Sequence, residues 1–235
     1  MKSRKTPGLS VAFLLLGIAS LLFVPRMGLL GWLPLWAGLD FLAVSWAYAL
    51  RRPGIYGKRA DGRMSLQRVL LFAPHLGLIH GVWHAKRLVS RERPFDRIGD
   101  GLIVSRRLLD GEVPSGVTAV VDLAAEFPET PALRSKGYRS LPVMDGDIPA
   151  AGELEILLAG LPGDGGVVLI HCAEGHGRSA TVAACLLLRR GMAGNAEEAM
   201  AIVTAARPLA RLLPPQRAFV ERFARSLPAP APAAH

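Results

Sequence analysis

The stretch Val167-Val-Leu-Ile-His-Cys-Ala-Glu-Gly-His-Gly-Arg-Ser-Ala-Thr181 decides the fold. Its first four residues are apolar and largely β-branched, and read as a buried strand. The strand ends on His171 and Cys172, a short loop with two glycines follows, and a helical pattern opens at Arg178. Open α/β sheets bind ligands outside the carboxyl ends of their strands, which is where Cys172 falls. The loop amides from Ala173 through Glu174, Gly175, His176 and Gly177 to Arg178 can converge on one point and form an anion nest. Gly175 and Gly177 permit positive φ and close backbone approach. The helix beginning near Arg178 turns its positive end to the same point. Arg178 can grip two oxygens of a phosphate at once. Such a concentration of positive potential favours a nucleophilic thiolate.

Outward from this stretch, strand and helix patterns alternate. Residues 101–105 (GLIVS), 117–123 (VTAVVDL), 138–143 (YRSLPV) and 166–171 (GVVLIH) read as strands, and 151–161, 178–191, 195–206 and 214–226 have helical apolar spacing. The expected fold class is α/β, a mostly parallel central sheet covered by helices on both faces, in a domain spanning 96–227. Residues 228–235, rich in Pro and Ala, are expected to be a disordered tail.

His171-Cys-Ala-Glu-Gly-His-Gly-Arg-Ser179 matches the pattern His-Cys-x-x-Gly-x-x-Arg-Ser/Thr. From about residue 96 to 226 the chain resembles the dual-specificity branch of the Cys-based protein tyrosine phosphatase superfamily. Arg97-Ile-Gly-Asp-Gly-Leu-Ile-Val-Ser105 is similar to that family's opening strand. Gly116-Val-Thr-Ala-Val-Val-Asp-Leu123 is similar to its next core strand. Ala206-Arg-Pro with Pro214-Pro-Gln-Arg-Ala-Phe219 is similar to its closing helices. The resemblance implies a tyrosine-phosphatase-like fold and phosphomonoester hydrolysis through a phosphocysteine on Cys172. It also implies a general acid on a loop before the nucleophile's strand. Leu141-Pro-Val-Met-Asp-Gly-Asp-Ile-Pro149 offers Asp145 and Asp147. Asp145 is the choice, because it follows the apolar strand directly and precedes Gly146. Asp147 is the alternative, and suits capping of a helix near Pro149 better. Ser179 is expected to bond the sulfur, and His171 to order the loop rather than act as a base. Cys185 is expected in the core of the following helix, with a disulfide to Cys172 as the alternative. Arg207 is expected to be structural. The chemistry calls for no metal and no cofactor. His80 and His84 have metal-ligand spacing, but no Glu or Cys completes a set.

The 235 residues are 51% apolar and 20% charged, which excludes a disordered chain, and two cysteines exclude a disulfide framework. The net charge of +9 is unevenly placed. Residues 1–100 hold 15 Lys/Arg against 5 Asp/Glu, and the remainder 13 against 14. The basic half also carries two apolar runs. Residues 9–25 have no charge, and 27–50 have only Asp40. About 20 apolar residues, with a range of roughly 17–25, are needed to cross a bilayer, so the first run is marginal in length and the second comfortable. Trp32, Trp36, Trp46 and Tyr48 lie toward the ends of the second run, as interfacial aromatics do. Lys2, Arg4 and Lys5 precede the pair, and Arg51, Arg52, Lys58, Arg59 and Arg63 follow it. The positive-inside rule then gives a transmembrane hairpin over 1–52 turning at Arg26, with both flanks and the catalytic domain on the cytoplasmic side of an inner or plasma membrane. A cleaved signal peptide is the competing reading. Asp40 is expected in a helix–helix contact or near water. Residues 53–95 are expected to be a basic linker whose 64–84 stretch, interrupted by Pro74, Gly77 and Gly81, lies on the membrane or re-enters it.

The expected partners are the lipid bilayer and a phosphomonoester substrate, with no nucleic acid, because basic and aromatic residues do not interleave in the soluble half. Family members acting on phosphoinositides often carry lysines in the loop. This loop has none, and it carries Glu174. That leaves a lipid monophosphate of the phosphatidylglycerophosphate type, or a phosphoprotein bearing phosphotyrosine, phosphoserine or phosphothreonine. A reading of another class, a membrane-bound phosphate-binding module without activity, is opposed by Cys172, Arg178 and Asp145 occurring together.

Overall fold

A computed structural model describes residues 7–163 and 165–227, and the chain divides into two units. The basic residues Lys2, Arg4 and Lys5 and the 228–235 tail lie outside the described residues.

The first unit, residues 1–59, 63–92 and 125–128, is built on helices α1 (Pro7–Phe23), α2 (Trp32–Leu50), α3 (Leu66–Leu71) and α4 (Ala73–Val89). Two short 3-10 turns, Val24–Arg26 and Gly28–Leu30, reverse the chain between α1 and α2. The pair is antiparallel. Ser10 bonds Ser45, and Phe13 stacks on Phe41 with centroids 6.2 Å apart. Gly38 lies so close to the opposite helix that a Cβ there would fall 2.6 Å from Leu21, the small-residue contact by which apolar helices approach each other. Much of the outer apolar surface is bare, with Leu15, Leu22 and Trp46 each at least 60% exposed. The stretches Gly8–Arg26 and Gly28–Leu50 are both long and apolar enough to cross a membrane.

The 64–84 stretch is two helices rather than one. The break comes at Phe72, because Pro74 occupies the first turn of α4, where its missing N–H costs nothing. Gly77 and Gly81 lie within α4 and do not interrupt it. Asp40 is buried, and its Oδ2 accepts the His75 backbone N–H at 2.7 Å, so α2 caps the start of α4. Trp36 Nε1 donates to the Leu71 carbonyl at the end of α3, at 2.9 Å. His75 is buried and its Nε2 meets the Tyr56 hydroxyl at 2.9 Å. His80 packs on Phe127, centroids 4.5 Å apart, and donates to the Leu76 carbonyl.

The second unit takes in 60–62, 93–124 and 129–235. Its elements are β1 (Phe95–Ile98), β2 (Leu102–Ser105), β3 (Val117–Ala124), α5 (Pro131–Arg134), β4 (Gly137–Val143), α6 (Ala151–Ala159), β5 (Val167–His171), α7 (Arg178–Arg189), α8 (Ala196–Ala206) and α9 (Pro214–Ser226). The strand order is β1-β2-β5-β3-β4. Strands β2 to β5 are mutually parallel, and β1 is antiparallel to β2. The sheet is therefore mixed, with an edge strand that the sequence reading missed. Four residues, Phe-Asp-Arg-Ile, with two charges carry too little apolar signal to be read as a strand.

Side chains alternate across the sheet. Leu102, Val104, Val121, Leu123, Val168, Ile170 and Cys172 face the large core formed with α6, α7, α8 and α9. Ile103, Val120 and Leu169 face a smaller cluster closed by Leu108 and Leu133. The long helices thus gather on one face, not on both as expected. The register aligns Ser105, His171 and Asp122 in one row at the carboxyl ends of β2, β5 and β3. That row lies on the face opposite Cys172, immediately behind it.

Candidate active site

The loop from Cys172 to Arg178 joins β5 to α7. Each of its five middle carbonyls is held by a donor from outside the loop. Arg107 N–H donates to Ala173 O at 3.1 Å, and Arg211 N–H to His176 O at 3.1 Å. Arg207 donates through Nε to Gly175 O at 2.9 Å and through its NH2 nitrogen to Glu174 O at 3.1 Å. Thr181 takes Gly177 O through both its N–H and its hydroxyl. With the carbonyls drawn outward, the intervening amides are left to the concave side, where an anion would sit. One of them, Gly175 N–H, points at Cys172 Sγ from 3.2 Å. Ser179 Oγ stands 3.5 Å from the same sulfur, and Cys172 itself is buried.

The two loop glycines serve different needs. Gly175 has φ +79°, and a Cβ there would fall 2.6 Å from the Ser105 backbone, so neither conformation nor space admits a side chain. Gly177 has φ −103° and is not in the positive region expected for it. Its constraint is a neighbour, since a Cβ would come 3.1 Å from Gln216 Oε1. Gln216 was not foreseen. It is fully buried, accepts the Leu213 N–H at 2.9 Å, and donates to the Asp147 carbonyl at 3.1 Å. It therefore ties the start of α9 to the segment bearing the candidate acids, beside the phosphate loop.

Arg178 is 2% exposed. One nitrogen donates to Val143 O at 2.9 Å and another lies 3.2 Å from Asp145 Oδ1. The structure therefore brings Cys172, Arg178, Ser179 and Asp145 to one place. The Asp145 side chain is 59% exposed there, open to substrate and water. Asp147 is buried, its N–H donating to Met144 O in a turn. Helix α6 starts at Ala151, with Ala150 as its N-cap and no side-chain cap, so the capping role foreseen for Asp147 is not what the structure has. Glu174 and His176 are partly exposed on the loop, 3.9 Å apart. Both cysteines are free thiols. Cys185 is buried in α7, and burial pushes its thiol pKa far up.

Residues 108–221 match the family model described as "Swiss Army Knife protein, DSP-PTPase phosphatase domain". The match takes in the loop, the candidate acids and the closing helices, just under half of the chain, and supports a Cys-based phosphatase domain of the dual-specificity type. No curated protein matches. Among solved structures, human DUSP28 is similar at 22% identity over 57% of this chain and 94% of its own, with a TM-score of 0.46. PTPMT1 is similar at 20% identity over 56% of this chain and 94% of its own, with a TM-score of 0.48. Tk-PTP is similar at 26% identity over 57% of this chain and 98% of its own, with a TM-score of 0.48.

Behind the loop, Arg207 and His171, expected to be structural and loop-ordering, meet acidic partners that the sequence does not mark. Arg207 is fully buried, and besides the two loop carbonyls it binds Asp96 Oδ2 at 2.8 Å and Arg93 O at 3.3 Å. Its role is structural in a specific sense: it shapes the loop. His171 is fully buried, with Nδ1 3.3 Å from the Cys172 carbonyl. On its other side Nε2 is 2.7 Å from Glu129 Oε2 and 3.8 Å from Asp122 Oδ1. Glu129 and Asp122 are far from the motif in sequence, and no local pattern marks them.

Proposed function

We propose that the chain is a membrane-anchored, Cys-dependent phosphatase that hydrolyses phosphomonoesters through a phosphocysteine. The observation that carries this reading is the loop whose five carbonyls are held outward around Cys172, with Arg178 and Asp145 3.2 Å apart at its mouth.

The reaction has two steps. The loop amides and Arg178 bind three non-bridging oxygens of the phosphate and stabilise the charge they carry in the transition state. The Cys172 thiolate attacks phosphorus in line with the ester oxygen. The P–O bond breaks, and Asp145, protonated at this stage, gives its proton to the leaving oxygen. Asp145, now a carboxylate, takes a proton from water as the water oxygen attacks phosphorus. The P–S bond breaks, inorganic phosphate leaves, and the thiolate returns to accept the Ser179 hydroxyl. A thiolate that must stay reduced fits the cytoplasmic side of the membrane.

The proposed substrate is a lipid monophosphate of the phosphatidylglycerophosphate type. Two helices with bilayer-spanning length and composition support it, as does a loop without lysine whose Glu174 disfavours additional phosphates. The second reading, a phosphoprotein substrate, is favoured by the DSP-PTPase description of the matching family.

The test is the full chain in detergent micelles with p-nitrophenyl phosphate, and then with phosphatidylglycerophosphate, phosphatidate and phosphopeptides side by side. Cys172→Ser is expected to abolish turnover on every substrate, and retained activity would overturn the mechanism. The lipid monophosphates are expected to have the highest kcat/KM, and a preference for phosphopeptides would overturn the lipid assignment.

A further inference from the structure

Residues 60–62 precede the catalytic domain by some thirty positions, yet they pack within the catalytic unit. They form the tip of a hairpin closed by Lys58 pairing with Met64 and by the Arg59 N–H donating to Arg63 O at 2.8 Å. At the tip, Gly62 has φ +80°, and its carbonyl accepts the Glu129 N–H at 2.8 Å. A Cβ on Gly62 would fall 2.6 Å from the Tyr138 hydroxyl and 2.8 Å from Glu129 Cβ. Both neighbours lead to the catalytic cysteine. Tyr138 donates to Asp122 Oδ2 at 2.6 Å, and burial, then the adjoining Asp122 carboxylate, keep that phenol protonated. Asp122 is fixed by the Ala124 N–H at 2.9 Å and Glu129 by the Thr130 N–H at 2.7 Å. The two carboxylates then hold the His171 ring, whose other nitrogen meets the Cys172 carbonyl.

We infer that Gly62 is a positioning residue for the reaction. It seats Glu129 and Tyr138 so that Glu129 and Asp122 clamp the His171 imidazole, and the clamped ring fixes the Cys172 backbone and with it the direction of the sulfur. The argument combines three things: a left-handed backbone that only glycine adopts freely, a contact with no room for a methyl group, and an unbroken chain of short polar contacts to His171. The hairpin turn at Asp61-Gly62 accounts for the positive φ by itself; what the turn does not require is the lack of room for a methyl group against Tyr138 and Glu129. Gly54, earlier in the same segment, has open space at its Cβ position.

This inference rests on the phosphatase reading for its kinetic test but not for its chemical one. In the full chain, Gly62→Val is expected to lower kcat on p-nitrophenyl phosphate by about 10- to 100-fold, the range for a small misplacement of a reacting group. KM is expected to stay within about twofold, because the amides that bind phosphate are held by Arg107, Thr181, Arg207 and Arg211 instead. The acid limb of kcat/KM should move. Alkylation of Cys172 by iodoacetamide, followed against pH, should move with it, with Cys172→Ser giving the background from Cys185. Gly54→Ala should match the parent protein. In a His171→Asn background the effect of Gly62→Val should shrink to less than about threefold, because the path it acts through is gone. An unchanged kcat and alkylation profile in folded Gly62→Val overturns the inference, and so does an equal loss in both backgrounds. If Gly62→Val does not give a cooperative melt, Gly62→Ala and Tyr138→Phe are read by the same two criteria. If no variant or parent turns over phosphate, the phosphatase reading fails, and the alkylation profile alone decides the role of Gly62.

Discussion

At the scale of single residues, the site depends on which neighbours can yield. Gly175→Ala drives a methyl group into backbone atoms of β2 with φ already positive, so activity should fall more than about 100-fold. Gly177→Ala meets the end of the Gln216 side chain rather than backbone and must displace its bonds to Leu213 and Asp147, so the loss should be smaller, about tenfold. Parallel kinetics of the two variants check the ordering, which reverses if positive φ is needed at 177. Asp145→Asn should lower kcat by about 10²–10⁴-fold and remove the basic limb of the pH–rate profile. An unaltered rate there moves the acid elsewhere, with Asp147 badly placed by its burial. Arg207→Met removes a buried cation from Asp96 and two donors from the loop. It should cost about 3–5 kcal/mol of stability, as breaking one partner of a buried pair does, and weaken competitive inhibition by inorganic phosphate. Thermal unfolding and inhibition constants measure the two effects separately.

Elements show why part of this was legible in the sequence and part was not. The β5–loop–α7 unit is continuous in sequence, so strand, candidate nucleophile, candidate anion loop and Arg178 could be read off one stretch. Asp145 could be placed because it directly follows an apolar strand. Asp122, Glu129, Tyr138, Gln216 and Gly62 could not, because register and loop packing bring them to the site from separate segments. Asp122 reads as one polar residue interrupting Val-Val-Asp-Leu until pairing sets it beside His171. Strand β1 was missed for a similar reason: Asp96 is polar in sequence yet buried, because Arg207 meets it there. In the helical unit, His75 links α4 to Tyr56. Burial, and then the nearby His80, lower its pKa from 6.5 to about 4. The unfolded chain therefore binds more protons between those values, so the stability that neutral His75 contributes is complete above about pH 6.5 and is lost as pH falls toward 4. Unfolding of the helical unit in detergent, followed by hydrogen exchange at pH 7.5 and 4.5, should show less loss, or more gain, at the lower pH in His75→Gln than in the parent protein. An equal slope in both proteins removes His75 as the cause.

At the scale of the whole molecule, the net charge of +9 first invites a nucleic-acid partner. Its placement assigns it to the flanks of two apolar helices instead. The full chain should accordingly remain with membranes through alkaline carbonate washing, whereas a peripheral protein is released. Release would remove the bilayer-spanning reading and leave the phosphatase chemistry untouched, since that chemistry draws on residues of the second unit alone.

The outward-held carbonyls of the loop bear on any attempt to transplant the site. The seven residues from Cys172 to Arg178 look self-sufficient as a sequence, but their donors come from the segment just after β2, from α7 and from the segment between α8 and α9. Copied alone onto another strand–helix junction, the stretch would keep its thiol and its arginine and lose its curvature. What would have to be inherited together is a short sequence and a ring of distant donors. Activity moved with the motif alone would mean that the curvature is intrinsic to the seven residues.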